Sequence, residues 1–287
     1  MIIFKSASTI KKYIIDKKNQ GITIGFVPTM GALHEGHISL VNDCKKRSAL
    51  AVASIFVNPT QFNNSADFDK YPITIAQDID MLENSGCDIL FYPSHEEIYP
   101  DEILKSYHLG YLETIMEGKY RPGHFQGVCQ VVERLLEIVQ PNDLYLGQKD
   151  YQQCLVIKEL VKILKIDIQV HINETVREKG GLAMSSRNKR LNMIERTQAS
   201  KIYQALNIIK MELKPGNLME IKNKAIHYLE ENKFKVDYVE VADAVTLRLL
   251  DQWDGTFPVV ILTAAYLNEV RLIDNLVMKP GGFNSSL

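Results

Sequence analysis

Two continuous apolar runs, residues 22–27 and 50–57, constrain this fold more than any other feature. A run without polar alternation reads as a strand covered on both faces, and such strands belong to parallel sheets flanked by helices. The pattern repeats. Helical stretches are expected over 36–48, 75–85, 124–140 and 151–164, and further strands over 87–92, 144–146 and 168–172. Within 124–140, Val128, Val131, Val132, Leu135, Leu136 and Val139 make an apolar stripe at spacings of three and four, and Pro141-Asn142 ends it. Strands alternating with helices predict an α/β fold, a doubly wound (Rossmann-like) parallel sheet.

The character changes near Thr175. Arg177-Glu178-Lys179-Gly180-Gly181 is charged and glycine-rich and reads as a hinge or mobile loop. Helices over 195–211 and 218–232 follow, then strands over 236–241, 259–266 and 269–273, the last two close enough for a hairpin. The expected division is a catalytic domain at 1–175 and a smaller α+β domain at 176–287.

With 287 residues, 46% of them hydrophobic, the chain can bury one large core or two modest ones. A net charge of −2 argues against a dedicated nucleic-acid binder. No stretch is apolar and long enough to span a membrane, and the N-terminus lacks a signal-peptide layout. Cys44, Cys87, Cys129 and Cys154 form no CxxC pair, which fits buried thiols in a reduced, cytoplasmic protein.

Four segments carry chemistry. Residues 28–37, P-T-M-G-A-L-H-E-G-H, lie on a strand-to-helix turn, where helix N–H groups and the dipole favour phosphate. His34 and His37 add donors whose charge can change near neutral pH, and Gly36 allows close backbone approach. There is no G-x-G-x-x-G and no P-loop, so the histidines stand in for both. The plainer reading is two surface histidines near a helix start. Asn58 and Gln61, after the second run, are neutral amides suited to a hydroxylated carboxylate, or else caps of a proline turn. In 147–153, Lys149 can neutralise phosphoryl charge, Asp150 can cap the next helix or hold a ribose, and Gln153 points to the same pocket; a solvated lysine and a plain cap are the alternative. Met184-Ser185-Ser186-Arg187-Asn188 offers two hydroxyls and a guanidinium as a polyphosphate clamp, or just a helix start.

H-x-G-H followed by M-S-S-R resembles the nucleotidyltransferase superfamily, which includes the class I aminoacyl-tRNA synthetases. Together with 56–63, Arg121-Pro122-Gly123-His124-Phe125-Gln126-Gly127-Val128 and 147–153, the set resembles the pantothenate synthetase family over nearly the whole chain. The resemblance implies ATP-dependent condensation of pantoate with β-alanine through a pantoyl adenylate, releasing pyrophosphate and then AMP, in a usually dimeric protein. It implies ATP contacts at Met30, Gly31, Ala32, Leu33, His34, Glu35, Gly36 and His37, at Gly147, Gln148, Lys149 and Asp150, and at Val176, Met184, Ser185, Ser186 and Arg187. His37 takes the place of the catalytic proton donor, with His34 and Lys149 beside it. Gln61 and Gln153 match pantoate-binding glutamines, with Asn58 and Arg121 as further contributors. Asp78 matches a Mg²⁺-linked aspartate, although Gln77 stands where some relatives have a second acidic residue. Ala183 replaces the lysine usual in the synthetase loop, leaving Lys149 and Arg187 to supply positive charge. Other readings are a cytidylyltransferase, an adenylyltransferase acting on a phosphate, a tRNA synthetase fragment, or a non-catalytic nucleotide-binding protein.

Overall fold

The computed structural model describes residues 1–63, 65–101 and 105–280. It divides into two compact units, Met1–Val176 and Arg177–Leu287. The first is built on six parallel strands: β1 (Ile2–Phe4), β2 (Ile24–Thr29), β3 (Leu50–Ile55), β4 (Ile89–Phe91), β5 (Asp143–Gly147) and β6 (Gln169–Asn173), in the order β1-β4-β3-β2-β5-β6. The expected doubly wound parallel sheet is therefore present. Helix α1 (Ala7–Asn19) and the helices His124–Val139 and Tyr151–Leu164 share one core with the sheet, around Ile14, Phe26, Phe91, Phe125 and Leu160. Helix α2 (Glu35–Arg47) and helix Ile75–Asn84 share another, around Val27, Val41, Leu82 and Tyr145. The sheet is thus covered on both faces, as the unbroken apolar runs require.

The strand order reverses between β2 and β5. These two pair only at Gly25–Asp143 and Phe26–Leu144, although both strands run further. The ladder stops before Pro28, which has no N–H to extend it. A crevice at the carboxyl ends of β2 and β5 is where an open α/β sheet binds ligands.

In the second unit, Phe234–Asp243, Val259–Leu267 and Val270–Met278 form an antiparallel sheet with Val259–Leu267 in the middle. The last two make the expected hairpin, with Asn268 at φ 51° in its turn. Helices Lys201–Glu212 and Met219–Glu231 share its core through Leu206, Ile209 and Leu229 against Val241 and Ile261. The single helix expected over 195–211 is instead two, Met193–Ala199 and Lys201–Glu212. The break is at Ser200, whose hydroxyl bonds back to the Thr197 carbonyl at 2.7 Å. In the charged, glycine-rich stretch the Gly181 N–H donates to the Glu178 carbonyl at 2.8 Å. Arg177 anchors it by a bidentate pair to the buried Asp274 at 2.6 and 2.9 Å. Among the described residues, no helix is long and apolar enough to cross a membrane. All four cysteines are buried and unbridged, and burial pushes the Cys44 thiol up to about 12.

Candidate active site

Predicted segments leave the sheet at the carboxyl ends of four adjacent strands, β3, β2, β5 and β6. Residues 30–37 follow β2, Asn58 and Gln61 follow β3, 148–153 follow β5, and Val176 lies just beyond β6.

The turn after β2 does not present a row of open helix amides. His34 is the N-cap of α2, and its Nδ1 accepts the Gly36 N–H at 3.2 Å. The His37 Nδ1 in turn accepts the His34 N–H at 3.3 Å, so the two imidazoles form a reciprocal capping box. Gly31 N–H donates to Thr29 Oγ1 at 3.2 Å, and Ala32 and Leu33 N–H donate to the Asp78 carboxylate at 2.9 and 2.8 Å. The turn's backbone amides are thus engaged by Thr29, by Asp78 of helix Ile75–Asn84, and by the two histidines themselves. With Nδ1 acting as acceptor in each ring, the neutral imidazole carries its proton on Nε2. The two half-buried rings lie with centroids 4.0 Å apart, and this capping geometry corresponds to the Nε2–H tautomer.

Asn58 and Gln61 have different jobs. Asn58 is 1% exposed, and its amide is fully engaged. Nδ2 donates to Gln61 Oε1 at 3.2 Å and to the Gly127 carbonyl at 3.1 Å. Oδ1 accepts from Thr60 Oγ1 at 3.1 Å and Tyr99 Oη at 3.0 Å. Asn58 thus braces Gln61. Gln61 points its Nε2 at the Met30 sulfur, a weak acceptor, at 3.1 Å. The Pro59–Gln61 turn lies so close to helix His124–Val139 that a Cβ on Gly127 would sit 2.3 Å from the Thr60 carbonyl.

His124, inside the Arg121–Val128 motif, is buried against Gln61. Its Nδ1 donates to the Gln61 carbonyl at 2.8 Å, and its Nε2 accepts from Arg121 Nη1 at 3.1 Å. Burial, and secondly the Arg121 guanidinium, push its pKa down to about 3. Arg121 also pairs with Glu117 at 3.6 Å, so this buried network fixes both Arg121 and the Gln61 backbone. Only the spatial partner, Gln61, distinguishes His124 from an ordinary helix-start histidine.

After β5, Lys149 Nζ lies 3.2 Å from Asp150 Oδ2. Asp150 is at the N-cap position of helix Tyr151–Leu164 but makes no side-chain cap bond, so the capping expectation is corrected in favour of this ion pair. Gln153 is half-buried in the first turn of that helix. Its buried neighbour Gln152 holds the helix in place, accepting the Glu117 N–H at 3.0 Å and donating to the Leu112 and Ile115 carbonyls at 2.8 and 3.0 Å. Nothing in the adjacent Gln152-Gln153 pair reveals from sequence which of the two is structural.

The expectation that Asp78 holds a metal meets a different geometry. Its carboxylate is 1% exposed and accepts three hydrogen bonds, from Ala32 and Leu33 N–H and from Thr74 Oγ1 at 3.1 Å. Among the described residues, no group of three His, Cys, Asp or Glu is arranged to hold a metal. A mostly apolar cavity of about 310 Å³ lies beside it, lined by Met30, Gly31, Phe56, Pro59, Tyr92 and His95 among others.

In the second unit, Ser185 caps a short 3₁₀ turn, Ser186–Arg190, by accepting the Arg187 N–H at 3.3 Å. Ser186 and Asn188 are buried, and Asn188 Nδ2 ties the turn to Glu178 and to the Ala183 carbonyl.

The sequence model of the family described as Pantoate-beta-alanine ligase matches residues 2–277. The chain is 42% identical over 281 residues to a pantothenate synthetase of Cytophaga hutchinsonii, covering 97% of this chain and 99% of the relative. It is similar to the crystal structure of pantothenate synthetase from Thermus thermophilus, with a TM-score of 0.87, 36% identity, and 96% and 99% of the two chains covered. It is also similar to the pantoate-beta-alanine ligase of Francisella tularensis, solved with beta-gamma ATP and beta-alanine, with a TM-score of 0.81, 40% identity, and 96% and 97% covered.

Proposed function

The chain belongs to the pantoate–β-alanine ligase family, and from that membership we propose how its own residues carry out the reaction. The enzyme condenses pantoate with β-alanine, cleaving ATP to AMP and pyrophosphate. A carboxylate is a poor electrophile at carbon, so activation comes first. A pantoate oxygen attacks the α-phosphorus of ATP, a P–O bond forms, and pyrophosphate leaves. The β-alanine amine then attacks the acyl carbon of the adenylate and expels AMP.

The observation that carries the assignment of roles is the reciprocal histidine cap. Because the helix amides occupy both Nδ1 atoms, His34 and His37 meet the phosphates as neutral Nε2–H donors. His37 is the proton donor of the pair. Neutral rings bring no charge, so Lys149 and Arg187 neutralise what develops on the phosphates. Gln61, with its backbone held by His124 and its amide by Asn58, binds the pantoate hydroxyls opposite Gln153. Val176 and Met184–Arg187 contact the nucleotide. Mg²⁺ enters as part of the substrate, riding on the ATP phosphates. Buried unbridged thiols support a cytoplasmic location. Edge strand β1, with Ile2 and Ile3 47% and 42% exposed, supports pairing with a second copy.

The test is exchange of labelled pyrophosphate into ATP. Exchange that requires pantoate and proceeds without β-alanine is expected. Exchange indifferent to pantoate would point to a transferase acting on a phosphate acceptor.

A further inference from the structure

A buried carboxylate is costly unless donors surround it, so the partners of Asp78 reveal its task. Two of them are successive backbone N–H groups, Ala32 and Leu33, 46 and 45 residues away in sequence. The third is the hydroxyl of Thr74, the residue that opens its own helix. The segment it grips is an unusual one. Gly31 and Ala32 both have positive φ, 78° and 49°, and an alanine seldom adopts that conformation. The space beside it is tight: a Cβ on Gly31 would lie 3.1 Å from Asp78 Oδ2. Directly after Leu33 comes His34, where the capping box begins. Helix Ile75–Asn84 thus reaches across and clamps the backbone immediately ahead of the two histidines.

A metal ligand would need the opposite environment. Both Asp78 oxygens face amide hydrogens, the positive ends of their dipoles, and a cation would have to displace them. Among the described residues lining the adjoining cavity, Asp78 is the sole carboxylate. The residues therefore do not fit a protein-held Mg²⁺.

We propose that Asp78 is a positioning residue, a latch that sets the left-handed Gly31–Ala32 turn and through it the Nε2–H orientation of His34 and His37. The consequence for catalysis rests on the reading that these histidines meet ATP. Three measurements on Asp78→Asn, which keeps the size but replaces one acceptor oxygen by an N–H donor, test the latch. Imidazole ¹⁵N shifts in histidine-labelled protein should report Nε2–H tautomers at His34 and His37 in the wild type and a tautomer mixture in the variant. The kcat should fall by roughly 100-fold, as expected for misplaced catalytic groups, with the Mg²⁺ concentration for half-maximal rate unchanged. Mn²⁺ added without nucleotide should bind neither protein at this position by electron paramagnetic resonance. A tenfold higher Mg²⁺ requirement, with the rate restored at excess Mg²⁺, would overturn the latch in favour of a metal ligand. A lower Tm with unchanged kcat and unchanged histidine shifts would overturn it in favour of a purely structural carboxylate. If Asp78→Asn shifts the tautomers while ATP leaves the wild-type rings unmoved, the latch stands and the ATP-contact reading of the histidines falls.

Discussion

Two histidine-bearing turns start helices in the first unit, and they use the same side chain in opposite ways. In the turn after β2, His34 and His37 spend Nδ1 on the helix amides and carry the proton on Nε2. In the turn before helix His124–Val139, both nitrogens of His124 are spent on protein partners, and the ring is 5% exposed. The first pair is half-buried, while the second is a neutral strut between Arg121 and Gln61. The side chain is the same in both turns; its burial and its partners differ.

The contrast can be broken or sharpened by mutation. The largest effect is expected outside the rings. Neutral donors leave the developing phosphate charge to Lys149 and Arg187, so Lys149→Ala should slow pyrophosphate release by roughly two to four orders of magnitude in a single-turnover assay. An unchanged rate would mean the rings are charged, or that Arg187 suffices. His37→Ala should cost about 100-fold in kcat, the low end for a lost proton donor, because His34 still offers its Nε2–H. It should cost only about 1 kcal/mol in unfolding free energy, the value of a helix cap. His124→Leu should invert that balance. Stability should fall by about 1–3 kcal/mol, because the Gln61 carbonyl loses its donor, while the pantoate KM rises by roughly tenfold and kcat moves far less than in His37→Ala. A larger kcat loss in His124→Leu than in His37→Ala would reverse the roles assigned to the two turns.

A further effect is on pH dependence. The folded His124 pKa is lowered from 6.5 to about 3, so the folded ring stays neutral while the unfolded ring takes up a proton below its own pKa. Its contribution to stability is therefore complete above pH 6.5 and is lost as pH falls toward about 3. Denaturant titrations across that window should show wild-type stability falling more steeply with acid than that of His124→Leu.

Much of the fold was legible because unbroken apolar runs and three-four stripes are signals of burial, as in β3 and helix Tyr151–Leu164. β1 was not read: three residues at a sheet edge, two of them exposed, carry no periodicity. Neither was α1, which buries only Ile10 and Ile14 in thirteen residues. At the site, the sequence located the segments that leave β2, β3 and β5 but not the division of labour within them. Asn58 and Gln61 look alike as amides, and only the four partners of Asn58 mark it as scaffold. Asp78 was tied to a metal only through the family resemblance, and its partners were hidden because they lie far away in sequence, in the turn that holds Ala32 and Leu33.

The most direct test of an acyl-adenylate site built on this turn omits the amine. Mixed with ATP, Mg²⁺ and pantoate alone, the enzyme should release one pyrophosphate per site in a burst. It should retain a pantoyl adenylate that β-alanine then converts to pantothenate and AMP. No pyrophosphate until β-alanine is added, or release of ADP and phosphate, would contradict the account.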